Sequence, residues 1–151
     1  MNEKQTILLV DDSIDDLVLM RFAFKRAAFN TSLREVYNGE EAIAYLNGAG
    51  PYSDRHKFPL PVVMLLDLNM PMKNGFDVLE WVRTRPGLKR MSIIILTASM
   101  RAKDMEQAFD LGANSFLVKP GSIEGLTAMI RCLRDWLQLN HFPPLNEAVK
   151  R

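Results

Sequence analysis

Only one cysteine, Cys132, occurs in the 151 residues, so no internal disulfide framework can staple this chain. Set among Ile130, Leu133 and Leu137, it is expected in a helix core. His56 and His141 are the only histidines, and neither stands at a metal-ligand spacing from another histidine or the cysteine. Both are expected in solvent. Net charge is nearly absent at +1, which gives no case for nucleic-acid binding through bulk electrostatics. No apolar run approaches the ~20 residues of a membrane span. Met1–Thr6 is polar and the apolar run after it stops at Asp11, so no secretory signal is visible. Repeats and low-complexity tracts are lacking too. A cytoplasmic protein that engages neither nucleic acid nor membrane is the expectation.

What is present fits a single domain. A chain of this length can bury roughly 68–70% of its unfolded surface, and 48% hydrophobic with 25% charged residues is an ordinary globular composition. Short apolar runs alternate with amphipathic segments. Strands are expected at about 6–10, 33–37, 62–67, 92–97 and 115–118. Helices are expected at about 14–28, 39–48, 75–83, 102–112 and 123–138. Ser13 and Asn38 are N-cap candidates, Leu17, Met20, Phe24 and Ala28 form an inner face, and Gly112 is a candidate left-handed cap. Residues 48–61, with two glycines and three prolines, are expected as a loop. Such alternation implies right-handed crossovers and a three-layer α/β sandwich around a parallel sheet.

Polar residues stand at the ends of four of the apolar runs. Asp11 and Asp12 follow ILLV, Asp67 follows VVMLL, Thr97 follows IIIL and Lys119 follows FLV. In a parallel sheet buried on both faces the C-terminal strand ends share one edge, and ligand sites collect there. Three carboxylates would repel one another unless a cation lay among them. A hard, oxygen-seeking ion such as Mg2+ (or Mn2+) suits that donor set together with a phosphate. Asp67, already ionised at neutral pH, needs no general base to attack a phosphoryl donor. Lys119 would neutralise charge on the phosphoryl oxygens and Thr97 would donate a hydrogen bond to one. Asp15 and Asp16 are read as first-turn acids favoured by the helix dipole, outside the site. The methionines are read mostly as core fillers.

Asp11-Asp12, the segment LLDLNMPMKNG (65–75), Thr97-Ala98, and Lys119-Pro120 with Phe116 upstream occur in one order along residues 5–138. Together they resemble the receiver domain of two-component response regulators, a flavodoxin-like (βα)5 fold with a five-stranded parallel sheet. The resemblance implies that Asp67 is the phosphoacceptor and Asp12 a direct metal ligand. Asp11 would act largely through water, and the main-chain carbonyl of Asn69 would be a further ligand. It implies a cis Lys119–Pro120 bond, and a switch in which Thr97 is drawn to the phosphoryl group and the Phe116 ring swings inward. Asn69 and Ser99, two positions beyond Asp67 and Thr97, would flank the hydrolytic water and tune the phosphoryl lifetime. Gly121 departs from the larger apolar residue common after the Lys-Pro pair.

AFKRA (23–27), GEEAIAYLNGAGPYSDRHKFPLP (39–61), LKR (88–90) and WLQLNHFPPL (136–145) further resemble small receivers that partner phytochrome-type histidine kinases. On that basis residues 1–140 are the receiver domain and 141–151 a C-terminal tail, with no output domain. Signalling would then run through a protein contact with an unnamed downstream target, or the chain would serve as a phosphorelay intermediate or phosphate sink. It would be no enzyme beyond its own phosphotransfer and dephosphorylation. Trp136, Leu137, Leu139 and Phe142 are more apolar than a terminal helix needs, which points to a homodimer interface through the last helix and tail; folding back onto the domain is the alternative. A phosphohydrolase of the haloacid-dehalogenase type also uses a strand-end Asp. It needs a second acid two residues on, where this chain has Asn69, which cannot shuttle a proton.

Overall fold

Successive side chains of a strand face opposite ways, and here each apolar run feeds two separate cores. Ile7 and Leu9, Val63 and Leu65, and Ile94 and Leu96 point into one core, while Leu8 and Val10, Met64 and Leu66, and Ile93 and Ile95 point into the other. The computed structural model describes residues 5–145. Its elements alternate: β1 (Thr6–Val10), α1 (Ile14–Arg26), β2 (Ser32–Val36), α2 (Gly39–Asn47), β3 (Val63–Leu66), α3 (Gly75–Arg83), β4 (Ser92–Thr97), α4 (Ala102–Asp110), β5 (Ser115–Val118) and α5 (Ile123–Leu139). All neighbouring strands are parallel, in the order β2-β1-β3-β4-β5. Helices α1 and α5 cover one face; α2, α3 and α4 cover the other. This is the flavodoxin-like (βα)5 sandwich expected from the sequence.

Local signals set the helix ends. Ser13 accepts the Asp16 N–H and Asn38 accepts the Glu41 N–H, each filling an orphan donor of a first turn. Gly48 closes α2 at φ +66, a conformation that glycine adopts without strain. Asn74 and Asp77 form a reciprocal capping box at α3. In the 48–61 loop, a single 3-10 turn occupies Gly50–Tyr52. Arg55 caps the free end of α2 there through the carbonyls of Tyr45 and Leu46. At the N-terminal end of the strands, the Arg83 guanidinium bonds the carbonyls of Gly112, Lys89 and Met91 and the Asn114 side chain.

Several expectations fail for reasons of helical phase. Cys132 is exposed; the buried stripe of α5 is Leu126, Ile130, Leu133 and Leu137, and position 132 lies off it. Ala28 is exposed at φ +53, because α1 ends at Arg26 and Ala27 is the last residue turned inward. The methionines are mostly core fillers, as expected: Met20, Met64, Met70 and Met91 are buried and Met129 packs against the core, while Met72, Met100 and Met105 are exposed. His56 and His141 are exposed, as expected. The described part of the tail, 141–145, folds back: Phe142 meets Trp136 edge to face at 5.5 Å and packs on the α1–α5 core, and Leu145 packs on the other. Leu139 nevertheless stays 82% exposed. The remainder of the tail, 146–151, lies outside the described residues.

Candidate functional site

Asp11, Asp67, Thr97 and Lys119 are fixed by hydrogen bonds between neighbouring strand ends. The Asp11 N–H donates to the Val36 carbonyl, that of Asp67 to Val10, and that of Lys119 to Thr97. These ladder bonds continue the sheet one residue past each strand and bring all four positions to one edge. Asp11, Asp12 and Asp67 each offer a carboxylate oxygen, and these oxygens lie within 4.8 Å of one another. Asp11 and Asp67 are buried and Asp12 is exposed.

The carboxylates are unequally engaged. Asp11 Oδ1 accepts the Ser13 N–H at 2.9 Å and Oδ2 accepts the Lys119 ammonium at 2.7 Å. Asp67 Oδ1 accepts the Leu68 N–H at 2.8 Å, and Oδ2 meets Lys119 at 3.2 Å. Burial holds the Asp11 carboxyl above its ordinary range, against the pull of Lys119 and the Ser13 N–H. For Lys119, burial disfavours the ammonium. Its hydrogen bonds to the Asp11 and Asp16 carboxylates and the charges of Asp67 and Asp11 outweigh that, so its pKa lies above the ordinary lysine range.

Asp16 is the residue that reading the sequence placed outside the site. Its Oδ2 lies 2.7 Å from Lys119 Nζ, as close as Asp11. A usable signal existed: Asp16 immediately precedes the buried Leu17 in the first turn of a helix that springs from β1, so it borders the carboxyl edge of the sheet. Asp15 keeps its expected role as an exposed first-turn acid.

The remaining candidates surround this group. Thr97 is fully buried, and its Oγ1 accepts the Ser99 N–H at 3.2 Å. Ser99 Oγ donates to Asp104 on α4 at 2.6 Å and accepts the Arg101 N–H. Asn69 is exposed in the loop after β3. Phe116 is half-buried against the core beneath α2, α3 and α4. Gly121 stands in open space, where a larger side chain would meet nothing. Contrary to expectation, the Lys119–Pro120 bond is trans, as is every peptide bond among the described residues. Trans is the favoured X–Pro isomer by about 0.5–1 kcal/mol, and from it the lysine already reaches three carboxylates.

The loop from Asp67 to α3 is tightly held. The Gly75 N–H donates to the Leu68 carbonyl, while the carbonyls of Lys73 and Met72 accept the N–H groups of Gly39 and Glu40 at the start of α2. Met72 and Lys73 both have positive φ, +52 and +76. Such strain persists where surrounding bonds over-determine the backbone, often beside functional sites.

Comparison with known proteins places this arrangement in context. A family model described as the response regulator receiver domain matches residues 7–131. The response regulator Rcp1 of Synechocystis sp. is 32% identical over 143 residues, covering 94% of this chain and 95% of that protein. The structure of its Mn2+-bound form superposes with a TM-score of 0.81, covering 92% of this chain and 99% of that one. The phosphorylated cyanobacterial phytochrome response regulator RcpA superposes at 0.85 with 29% identity, covering 93% and 99%. A response regulator in red light signaling of R. palustris superposes at 0.87 with 32% identity, covering 92% and 98%.

Proposed function

This chain belongs to the response regulator receiver family, and from that membership we propose that it is a switch driven by phosphorylation of Asp67 by a histidine kinase. The observation that carries the reading is the convergence of three carboxylates, the buried Thr97 hydroxyl and the Lys119 ammonium on one sheet edge. An Asp67 carboxylate oxygen attacks the phosphorus of a phosphohistidine. The new O–P bond forms as the P–N bond breaks, and the imidazole nitrogen leaves with the electron pair. Lys119 and the Thr97 hydroxyl bind the transferred oxygens.

Receiver domains bind a divalent metal, and the donor set here suits one: exposed Asp12, Asp67 and the Asn69 carbonyl are hard oxygen ligands, with Asp11 acting through water because Ser13 and Lys119 already take its oxygens. A bound Mg2+ or Mn2+ would offset charge on the phosphoryl oxygens. No external substrate is turned over in this reading. Thr97 moves toward the phosphoryl group, and Phe116 follows by packing alone, since it carries no hydroxyl.

The kinase in this reading is of the phytochrome type, supported by relatives whose names refer to phytochrome and red-light signalling. Ile14, Val18 and Phe22 line one exposed stripe of α1 beside the site, which offers that kinase an apolar docking face. Among the described residues no helix is long and apolar enough to cross a membrane. Output runs through a protein contact, and Trp136 with Leu139 on α5 forms the contact to a second copy.

Intact-protein mass after incubation with acetyl phosphate, with and without Mg2+, tests the reading. A Mg2+-dependent gain of one phosphoryl group, removed by hydroxylamine, is expected. No gain from acetyl phosphate or from a phosphorylated phytochrome-type kinase would overturn it.

A further inference from the structure

Lys119 has three N–H donors, and all three are engaged. Its ammonium lies 2.7 Å from Asp11 Oδ2, 2.7 Å from Asp16 Oδ2 and 3.2 Å from Asp67 Oδ2. An ammonium carries only three protons, so it can bind a phosphoryl oxygen only after one carboxylate lets go. The three differ in what release would cost them. The side chains of Asp11 and Asp67 are 9% and 10% exposed, and that of Asp16 is 37% exposed. Asp67 must stay in place because its carboxylate attacks the phosphorus, and a buried Asp11 set free would have no water to replace the lost bond, whereas Asp16 would pass directly to solvent.

We propose that Asp16 is a positioning residue of the phosphoryl-transfer site, holding the third donor of Lys119 in the resting protein and yielding it to the incoming phosphoryl oxygen. The inference rests on the function proposed above. Asp16 sits on the first turn of α1, so its release also changes the charge presented by that helix beside the site. Its resting contact acts with opposite sign on cations and anions. Paired with Lys119, Asp16 offsets the ammonium and leaves the negative charge of Asp11, Asp12 and Asp67 available to a metal ion. Against a phosphoryl group, it is a competitor for the same lysine.

This opposition gives a test that a merely structural role would not pass. Mg2+ affinity is measured by calorimetry, and beryllofluoride binding at saturating Mg2+ by fluorine NMR, in wild type, Asp16→Ala and Asp16→Glu. Asp16→Ala is expected to weaken Mg2+ binding and to tighten beryllofluoride binding, each about two- to fivefold, the range of a partly exposed ion pair. Asp16→Glu, which restores a carboxylate, is expected to return both toward wild type. Should Asp16→Ala fold poorly, Asp16→Asn carries the same test with the same opposed shifts.

Shifts of the same sign, or unchanged values in a responsive wild type, would overturn the inference alone. A wild type that takes up neither beryllofluoride nor phosphoryl would overturn the proposed function, and this inference with it.

Discussion

Gly75 lies directly against the Asp67 carbonyl, so close that a Cβ built on it would overlap that oxygen and crowd the Leu68 Cα. The first residue of α3 thus rests on the backbone of the candidate phosphoacceptor. Gly75→Ala must push one of two bonded segments aside. It is expected to destabilise the protein by about 1–3 kcal/mol, the usual range for overpacking, and to reduce phosphoryl uptake. Urea unfolding and intact mass after acetyl phosphate check the two effects.

Asp67→Asn removes the nucleophile but keeps the acceptor of the Leu68 N–H. The fold is expected to persist by circular dichroism, while labelling from acetyl phosphate or the kinase disappears. Residual hydroxylamine-sensitive label would place the acceptor elsewhere.

Ser99 and Asn69 should set how long the label lasts. Ser99 Oγ is tied to Asp104, which holds its hydroxyl in one orientation beside Thr97. Ser99→Lys and Asn69→Arg are each expected to change the rate of autodephosphorylation several-fold, followed as decay of the phosphorylated mass after donor removal. Identical decay in both variants would remove these positions from control of the lifetime.

Tyr45 supplies a pH dependence away from the site. It is buried under the 48–61 loop, its hydroxyl donates to the Pro59 carbonyl at 2.8 Å, and burial pushes its pKa up to about 12 from 10.0. Because the folded pKa is the higher one, the unfolded chain loses its proton first. The stabilisation is complete below pH 10 and lost as pH rises toward 12. Its size is on the order of 2–3 kcal/mol. Urea midpoints between pH 9 and 12 should therefore fall more steeply in wild type than in Tyr45→Phe; parallel curves would refute this.

Leu139 offers a direct probe of self-association, being 82% exposed beside Trp136. Leu139→Glu is expected to shift sedimentation equilibrium toward monomer without lowering thermal stability. If wild type and variant sediment alike, the α5 surface does not mediate pairing.

The strands were legible because both layers of the sheet demand apolar side chains and the site demands polar ones immediately after. β4 and β5 fall where the runs ending at Thr97 and Lys119 place them. Helix starts were legible from caps that act locally, at Ser13 and Asn38. Helical phase was harder to read. Asp15 and Asp16 are chemically identical; what separates them is the phase of α1, in which Asp16 stands beside the buried Leu17 and one turn before the buried Met20. Cys132 has apolar neighbours in sequence, yet a two-residue step turns it away from the stripe they occupy.

The Arg83 guanidinium ties the end of α3, the turn into β4 and the entry to β5 into one knot at the edge opposite the carboxylates. One side chain thereby fixes where the last two strands begin, while Thr97 and Lys119 stand where those same strands stop.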